Sequence, residues 1–257
     1  MRDQNSIFLY IFIVFIVLLA GLIKTCLGMG AGIFSTPLLS LVLNPKTSLG
    51  LLIPVILSTG FSTLYIFRGK WSWNEIKFIF PSMIVGVVFG TYYVSLAPPN
   101  TVRIIIGIIA ILYAVQALYI RIRKKQVINW NIKSKSNLIL WKFLIGFFAG
   151  ISSAVANSGG IIITIYLATI GLTKETFVAT LTSLLLIGDI SKFVFYIHFH
   201  ILTKNLFLIG LLLTPIALSG SLIGRQLMNK LSDKQYTIYM NILIAISGIL
   251  LICKALF

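Results

Sequence analysis

The residues of this sequence that could do chemistry are concentrated at two glycine-rich breaks in long apolar stretches. One break covers residues 28–32 and the other covers residues 157–160. A helix broken at membrane depth needs protein or a water-filled cavity around it, and the next helix start presents N–H groups that attract anions. We therefore predict that the helices beginning near Ile33 and Ile161 meet and hold one small anion.

Polar side chains near the breaks could complete such a site. Lys24 lies one helical turn before the first break. An ionisable residue there is costly and usually functional, although a lysine can also extend to the membrane surface. Hydroxyl and amide donors accompany the second break and the next apolar stretch. The predicted substrate-binding residues are Lys24, Gly28, Gly30, Gly32, Asn157, Ser158, Gly159, Gly160, Thr182 and Ser183.

One acidic residue stands deep within an apolar stretch. Asp189 precedes Lys192 by three positions, so the two side chains share a helix face. The pair is most simply a structural ion pair, and both residues are also the candidates for coupling to a proton or another ion. His198 and His200 follow at the end of the same stretch, but no third ligand nearby completes a metal set.

The composition limits the class of protein. Hydrophobic residues make up 58% of the 257 residues and charged residues only 10%, with a mean hydropathy of +1.04. Soluble domains carry about 25% charged residues, so a disordered chain and almost any soluble enzyme are excluded. Cys26 and Cys253 lie in apolar stretches and form neither a disulfide framework nor a metal motif. The chain is predicted to be an all-α polytopic membrane protein.

Apolar stretches give the number of membrane crossings. A spanning helix needs about 20 apolar residues. The stretches that qualify are residues 7–27, 47–67, 76–96, 101–120, 138–156, 175–197, 204–224 and 235–256. Two shorter stretches, 31–43 and 159–172, follow the glycine-rich breaks. The sequence therefore predicts about eight transmembrane helices plus two short or re-entrant half-helices.

The two halves of the chain are similar to each other. Gly60 recurs 128 positions later as Gly188, and a Pro-x4-Gly-x3-Gly pattern at residues 81–90 recurs at residues 215–224. Internal duplication is common in secondary transporters. The predicted units are a first repeat over residues 1–120, a basic linker over 121–137 and a second repeat over 138–257.

The net charge of +16 has a membrane explanation. No nucleic-acid module or basic-aromatic stripe accompanies it, so we predict no nucleic-acid partner. Basic residues in short loops instead set membrane orientation and attract acidic lipid headgroups. The polar stretch 121–142 has seven basic residues without one acid, and we predict that it is cytoplasmic.

The two halves could be inverted or parallel, and the distribution of basic residues between the two sides of the membrane barely distinguishes these arrangements. Inverted halves, with five crossings each, place both termini outside and the linker inside, whereas parallel halves have four crossings each. We favour the inverted arrangement because it keeps the cluster of Arg225, Lys230 and Lys234 on the cytoplasmic side.

Several of these segments resemble the sulfite exporter TauE/SafE family. That family opens each half with Gly-x-Gly-Gly-Gly, an apolar run and a proline, and residues 28–39 and 154–161 are similar to this pattern. Residues 68–73 resemble the basic loop of the family, and residues 179–184 resemble its Ala-x-x-Thr-Ser-Leu segment. The resemblance extends over nearly the whole chain.

This resemblance implies a multi-pass plasma-membrane permease for a small sulfur-containing anion, sulfite or an organosulfonate. Transport would be outward, by alternating access driven by an ion gradient. No ATP-binding motif or cofactor is predicted, so the partners are the anion and membrane lipid, and a homodimer is one assembly that the sequence allows. The alternatives are an importer of a different small anion and an intramembrane hydrolase that uses a serine near Ser158 with His198.

Overall fold

The computed structural model describes residues 2–27, 31–66, 68–122, 135–228 and 233–256, and these residues form ten α-helices without a strand. The helices are α1 (Arg2–Leu27), α2 (Ala31–Val42), α3 (Pro45–Ile66), α4 (Trp73–Leu96), α5 (Pro99–Ile122), α6 (Lys135–Ala156), α7 (Gly159–Thr169), α8 (Lys174–His198), α9 (Lys204–Met228) and α10 (Asp233–Leu256). Every predicted apolar stretch coincides with one helix. The all-α architecture, including the two short helices after the glycine-rich breaks, is confirmed.

Local sequence explains several helix ends. Pro45 and Pro99 are the first residues of α3 and α5, where the missing N–H is not needed and the fixed φ suits a helix. Thr173 caps α8 because its hydroxyl accepts the N–H of Thr176 at 3.3 Å. Gly171, between α7 and α8, has a φ of 72°, which glycine adopts without steric cost.

Length and hydropathy show that this is an integral membrane protein. The described residues contain five helices that are long and apolar enough to cross a membrane: Trp73–Leu96, Pro99–Gln116, Ile139–Ala156, Glu175–His198 and Lys204–Ile223. Large apolar side chains also cover the outer surface, and Phe8 and Leu212 are 74% and 77% exposed. Such a surface is stable in lipid and not in water.

The second half begins with a helical hairpin. Gly159, at the start of α7, lies against the backbone of Ala149 in α6. Farther along α7, the Tyr166 hydroxyl donates to Glu75, which also accepts a hydrogen bond from Lys142 near the beginning of α6. The start of α7 therefore lies beside the later part of α6, and the end of α7 lies near the beginning of α6. α7 runs antiparallel to α6, back towards the side from which α6 started.

The first half begins with the equivalent hairpin. Ile33 of α2 shares a core cluster with Ile23 of α1, and Leu39 of α2 shares another with Ile16 of α1. α2 therefore runs antiparallel to α1. In each half the short helix returns to the side from which the preceding helix started, and we call these two pairs, α1/α2 and α6/α7, the re-entrant hairpins.

The halves pack on each other in a reciprocal way. Gly86 of α4 lies against the backbone of Phe147 in α6, and Gly220 of α9 lies against the backbone of Leu18 in α1. In both pairs a Cβ on the glycine would overlap the neighbouring backbone, so only glycine permits this approach. The Pro-x4-Gly-x3-Gly pattern thus marks two equivalent contacts, in each of which a helix of one half packs against the first helix of the other half.

The direction of the helices decides between the two arrangements left open by loop charge. In each half a re-entrant hairpin is followed by three helices of alternating direction, so the second half starts on the side opposite to the first. α5 and α10 accordingly run antiparallel, since Val102 shares a core cluster with Leu251 and Ala110 shares one with Ile244. The repeats are therefore inverted, with Arg2 and Leu256 on one side and Ile122 and Lys135, which flank the basic stretch, on the other.

The side on which the linker lies is testable. Lys133 falls outside the described residues, but it belongs to the basic stretch without acids, so we expect it to face the cytoplasm. In a cysteine-free background, Lys133→Cys should react with an impermeant maleimide in inside-out vesicles and not in intact cells. Lys254→Cys, exposed near the end of α10, should show the opposite pattern. Labelling of Lys133→Cys in intact cells would refute the orientation.

Candidate functional site

The two glycine-rich breaks are in contact. Gly32 of α2 lies against Asn157, the residue that follows α6, and a Cβ at Gly32 would lie 2.9 Å from the Asn157 carbonyl oxygen. Asn157 ends α6 with a φ of 53°, a left-handed conformation that asparagine adopts more readily than most residues. Its amide also donates to the Thr36 hydroxyl of α2 at 3.0 Å. The prediction that the breaks meet is confirmed for these residues.

A cavity of about 50 Å³ lies beside this contact. One water molecule needs about 10–15 Å³ of such space, so the cavity holds a few water molecules or one small oxyanion. Both halves of the chain contribute to its wall. The lining residues are Lys24, Gly32, Ile33, Ile56, Gly60, Ser153, Asn157, Gly160, Thr182, Leu185, Leu186, Asp189 and Lys192.

Lys24 contributes an ammonium group from the first half. Its Nζ donates to the Ile56 carbonyl at 3.0 Å and to the Thr59 hydroxyl at 2.6 Å. Both acceptors are neutral, and no carboxylate of the described residues forms a salt bridge with Lys24. The lysine therefore points into the protein and not to the membrane surface, and it brings a positive charge to the cavity wall.

Lys192 and Asp189 contribute an ion pair from the second half. The Lys192 Nζ lies 2.7 Å from the Asp189 Oδ1, and both residues are buried. The same Nζ donates to the Asn157 Oδ1 at 2.6 Å and lies 3.5 Å from the Ser153 carbonyl oxygen. The ion pair thus holds Asn157, which in turn reaches across to Thr36 in the other half.

Two further groups at the wall are suited to an anion. The Thr182 hydroxyl is 5% exposed and has no hydrogen-bond partner among the described residues. A buried polar group without a partner costs about 1–3 kcal/mol, so a ligand that accepts from this hydroxyl would be stabilised. Gly160 stands in the first turn of α7, where backbone N–H groups have no acceptor within the helix.

The structure brings most of the predicted site residues together. Those that line the cavity are Lys24, Gly32, Asn157, Gly160, Thr182, Asp189 and Lys192. Gly28 and Gly30 lie outside the described residues. A role in binding stays a prediction for every one of these residues.

Three predicted residues are not in the cavity wall. The Ser158 hydroxyl lies 2.6 Å from the Ser152 hydroxyl, and the Ser183 hydroxyl donates to the Ala179 carbonyl at 2.8 Å. Gly159 packs against the backbone of α6. The Ser183 hydroxyl is thus used within its own helix and the Ser158 hydroxyl within the α6/α7 hairpin.

Several lining residues were not predicted to bind substrate. Gly60 was noted in the sequence only as a position that repeats in the second half. Its lack of a side chain leaves space beside Lys24, because a Cβ on Gly60 would lie 3.8 Å from the Lys24 Nζ. Ile56 contributes through its carbonyl group, which no sequence pattern marks. Ile33, Leu185 and Leu186 supply the apolar part of the wall.

A second buried charged cluster lies outside the cavity and has no counterpart among the predicted site residues. Lys142 forms a salt bridge of 2.9 Å with Glu75, and the Tyr166 hydroxyl donates to the same carboxylate at 2.6 Å. Lys142 lies both in the polar stretch 121–142 and in the predicted apolar stretch 138–156, and in the structure it is buried within α6. The cluster joins α4, α6 and α7 at the linker side of the re-entrant hairpin.

The arrangement needed for a serine hydrolase is not formed by the described residues. Ser158 is fully buried and hydrogen-bonded to Ser152, whereas His198 is exposed at the end of α8 beside Phe199. No hydrogen bond joins the serine to the histidine. A histidine base must lie within hydrogen-bond reach of the serine that it activates.

Inverted repeats whose broken helices meet at a charged cavity define a class of membrane transport protein. The chain belongs to the sulfite exporter TauE/SafE family, whose profile matches residues 13–251. This is a transporter family. Comparison with curated proteins and with solved structures gave no match.

Proposed function

We propose that this protein carries a small sulfur-containing oxyanion, such as sulfite or an organosulfonate, across the plasma membrane. The observation that supports this most directly is the Lys24 ammonium group, which lines the cavity and whose hydrogen-bond acceptors among the described residues are neutral. A charge within a membrane protein must be compensated, and an anion in the cavity would do so. The family supports the sulfur chemistry, because it is described as a sulfite exporter family.

The anion would be held by groups from both halves. Lys24 supplies charge, Thr182 supplies a free hydroxyl, and the first turn of α7 at Gly160 supplies backbone N–H groups. Oxyanions commonly bind at helix N-termini because N–H groups and the helix dipole both point at the ligand. A cation would face two lysines and one carboxylate in this cavity, which is an unfavourable balance.

Alternating access follows from the same arrangement. The hairpins α1/α2 and α6/α7 come from opposite sides and meet at Gly32 and Asn157. A small movement of one hairpin relative to the other would open the cavity to one side while the other side stays closed. We propose that transport is outward and driven by an ion gradient, with Asp189 and Lys192 as the coupling residues.

Flux through the purified protein in proteoliposomes tests this function. The panel comprises sulfite, sulfoacetate, taurine, thiosulfate and sulfate, each with an imposed proton or sodium gradient of either direction. We expect flux of at least one sulfur oxyanion and acceleration by one of the two gradients. The proposal fails if the protein carries a cation or a neutral solute and ignores every oxyanion offered.

The role of Lys24 can be measured separately. Lys24→Ala removes the unpaired charge from the cavity, and we expect the affinity for the transported anion to fall by about tenfold or more, since 1.4 kcal/mol corresponds to tenfold. Lys77→Ala is the matched control, because Lys77 is an exposed lysine that contacts the Phe78 ring outside the cavity. An unchanged affinity in Lys24→Ala would remove this residue from the binding site.

A further inference from the structure

The cavity wall carries more positive than negative side chains. Its charged side chains are Lys24, Lys192 and Asp189. Two positive charges and one negative charge leave a net charge of +1 when all three are ionised.

The two lysines are not equivalent. An ammonium group has three N–H donors. Lys192 directs them at Asp189, Asn157 and the Ser153 carbonyl, so its charge and its donors are all used within the protein. Lys24 has two neutral hydrogen-bond acceptors and no salt bridge among the described residues, which leaves one N–H donor for a ligand.

We infer that Asp189 determines specificity by neutralising Lys192, so that the cavity selects an oxyanion with a single negative charge over one with two. This inference rests on the proposed function and adds the charge class of its substrate. A singly charged anion balances the net charge of +1, whereas a doubly charged anion leaves one negative charge uncompensated in a buried site. Uncompensated charge in such surroundings is strongly disfavoured.

Methanesulfonate and sulfate are suitable probes, because both are small tetrahedral sulfur anions and they differ in charge. Binding of each is measured to the purified full-length protein in lipid nanodiscs. We expect the wild-type protein to bind methanesulfonate more tightly than sulfate by about tenfold or more. A wild-type preference for sulfate would overturn the inference.

Asp189→Asn keeps the shape of the side chain and an oxygen acceptor for Lys192, but it raises the net charge of the cavity to +2. We expect its preference to shift towards sulfate by about tenfold or more. Glu175→Gln is the matched control, because Glu175 lies on the same helix but pairs with Lys70 on the surface. An unchanged preference in folded Asp189→Asn would overturn the inference.

The double variant Asp189→Asn with Lys192→Met provides a second test that does not depend on an unpaired buried lysine. It removes both charges of the pair and returns the net charge of the cavity to +1. We expect it to prefer methanesulfonate again, and a sulfate preference would overturn the inference. If the wild-type protein binds neither probe and no oxyanion of the flux panel, the proposed function itself fails.

Discussion

Gly32→Ala is expected to abolish most of the transport activity. A Cβ at this position would lie 2.9 Å from the Asn157 carbonyl oxygen and closer still to the Asn157 Cβ. The backbone at the end of α6 cannot move away without separating the two hairpins. Overpacking of this kind costs about 1–3 kcal/mol, so we expect the flux of the substrate anion to fall by about tenfold or more.

Gly188→Ala is the matched control for this substitution. Its Cβ would meet the terminal methyl group and sulfur of Met83, the flexible end of a side chain that can move. We expect flux close to that of the wild-type protein. Normal flux in Gly32→Ala, with the variant present in the membrane at wild-type amounts, would show that the contact between the two breaks is not needed for transport.

Lys142→Met is expected to destabilise the protein strongly. Lys142 and Glu75 are 6% and 7% exposed and form a salt bridge of 2.9 Å. Removal of the lysine leaves a buried carboxylate whose remaining hydrogen-bond partner among the described residues is the Tyr166 hydroxyl. Loss of one partner of a buried pair costs about 3–5 kcal/mol, and thermal unfolding of the purified protein should show a correspondingly lower midpoint.

Two control variants test whether the loss of stability comes from the Glu75 carboxylate that Lys142→Met leaves unpaired. Glu75→Gln combined with Lys142→Met removes both charges, and we expect it to recover much of the lost stability. Lys70→Met breaks the surface pair with Glu175, whose side chains are 51% and 64% exposed, and should cost less than about 1 kcal/mol. Equal stability of Lys142→Met and Lys70→Met would contradict the importance of the buried pair.

The two hairpins differ in the contacts that hold them, because the Glu75–Lys142 ion pair is present at the α6/α7 hairpin. On the opposite side of the protein, the α1/α2 hairpin packs through an apolar cluster that includes Ile13 and Leu39. The end of α2 is held in addition by hydrogen bonds to neutral acceptors, from Arg103 to the Ser40 carbonyl and from Lys254 to the Leu41 carbonyl. The α6/α7 hairpin is instead held by an ion pair. The repeats therefore agree in backbone arrangement and differ in the contacts that hold their re-entrant helices.

The sequence alone determined the helices of this protein. A membrane requires about 20 apolar residues for each crossing and satisfies backbone polar groups only within helices, so apolar stretches and glycine-rich breaks could be located without any structure. The repeated Pro-x4-Gly-x3-Gly pattern likewise marked the helices that approach one another closely at Gly86 and Gly220. Family membership could be recognised from the same segments.

Only the tertiary structure decided how the halves are oriented and which polar groups share a cavity. Loop charge could not separate inverted from parallel halves, because orientation depends on whether the short helices cross or turn back, and that is set by packing between distant segments. Ser158 and Thr182 both carry a hydroxyl group, yet Ser158 bonds within its own half, whereas Thr182 lines the cavity and has no hydrogen-bond partner in the described part of the chain. The direction of a side chain and the pairing of residues far apart, such as Glu75 with Lys142, depend on three-dimensional contacts that residue types and spacing do not encode locally.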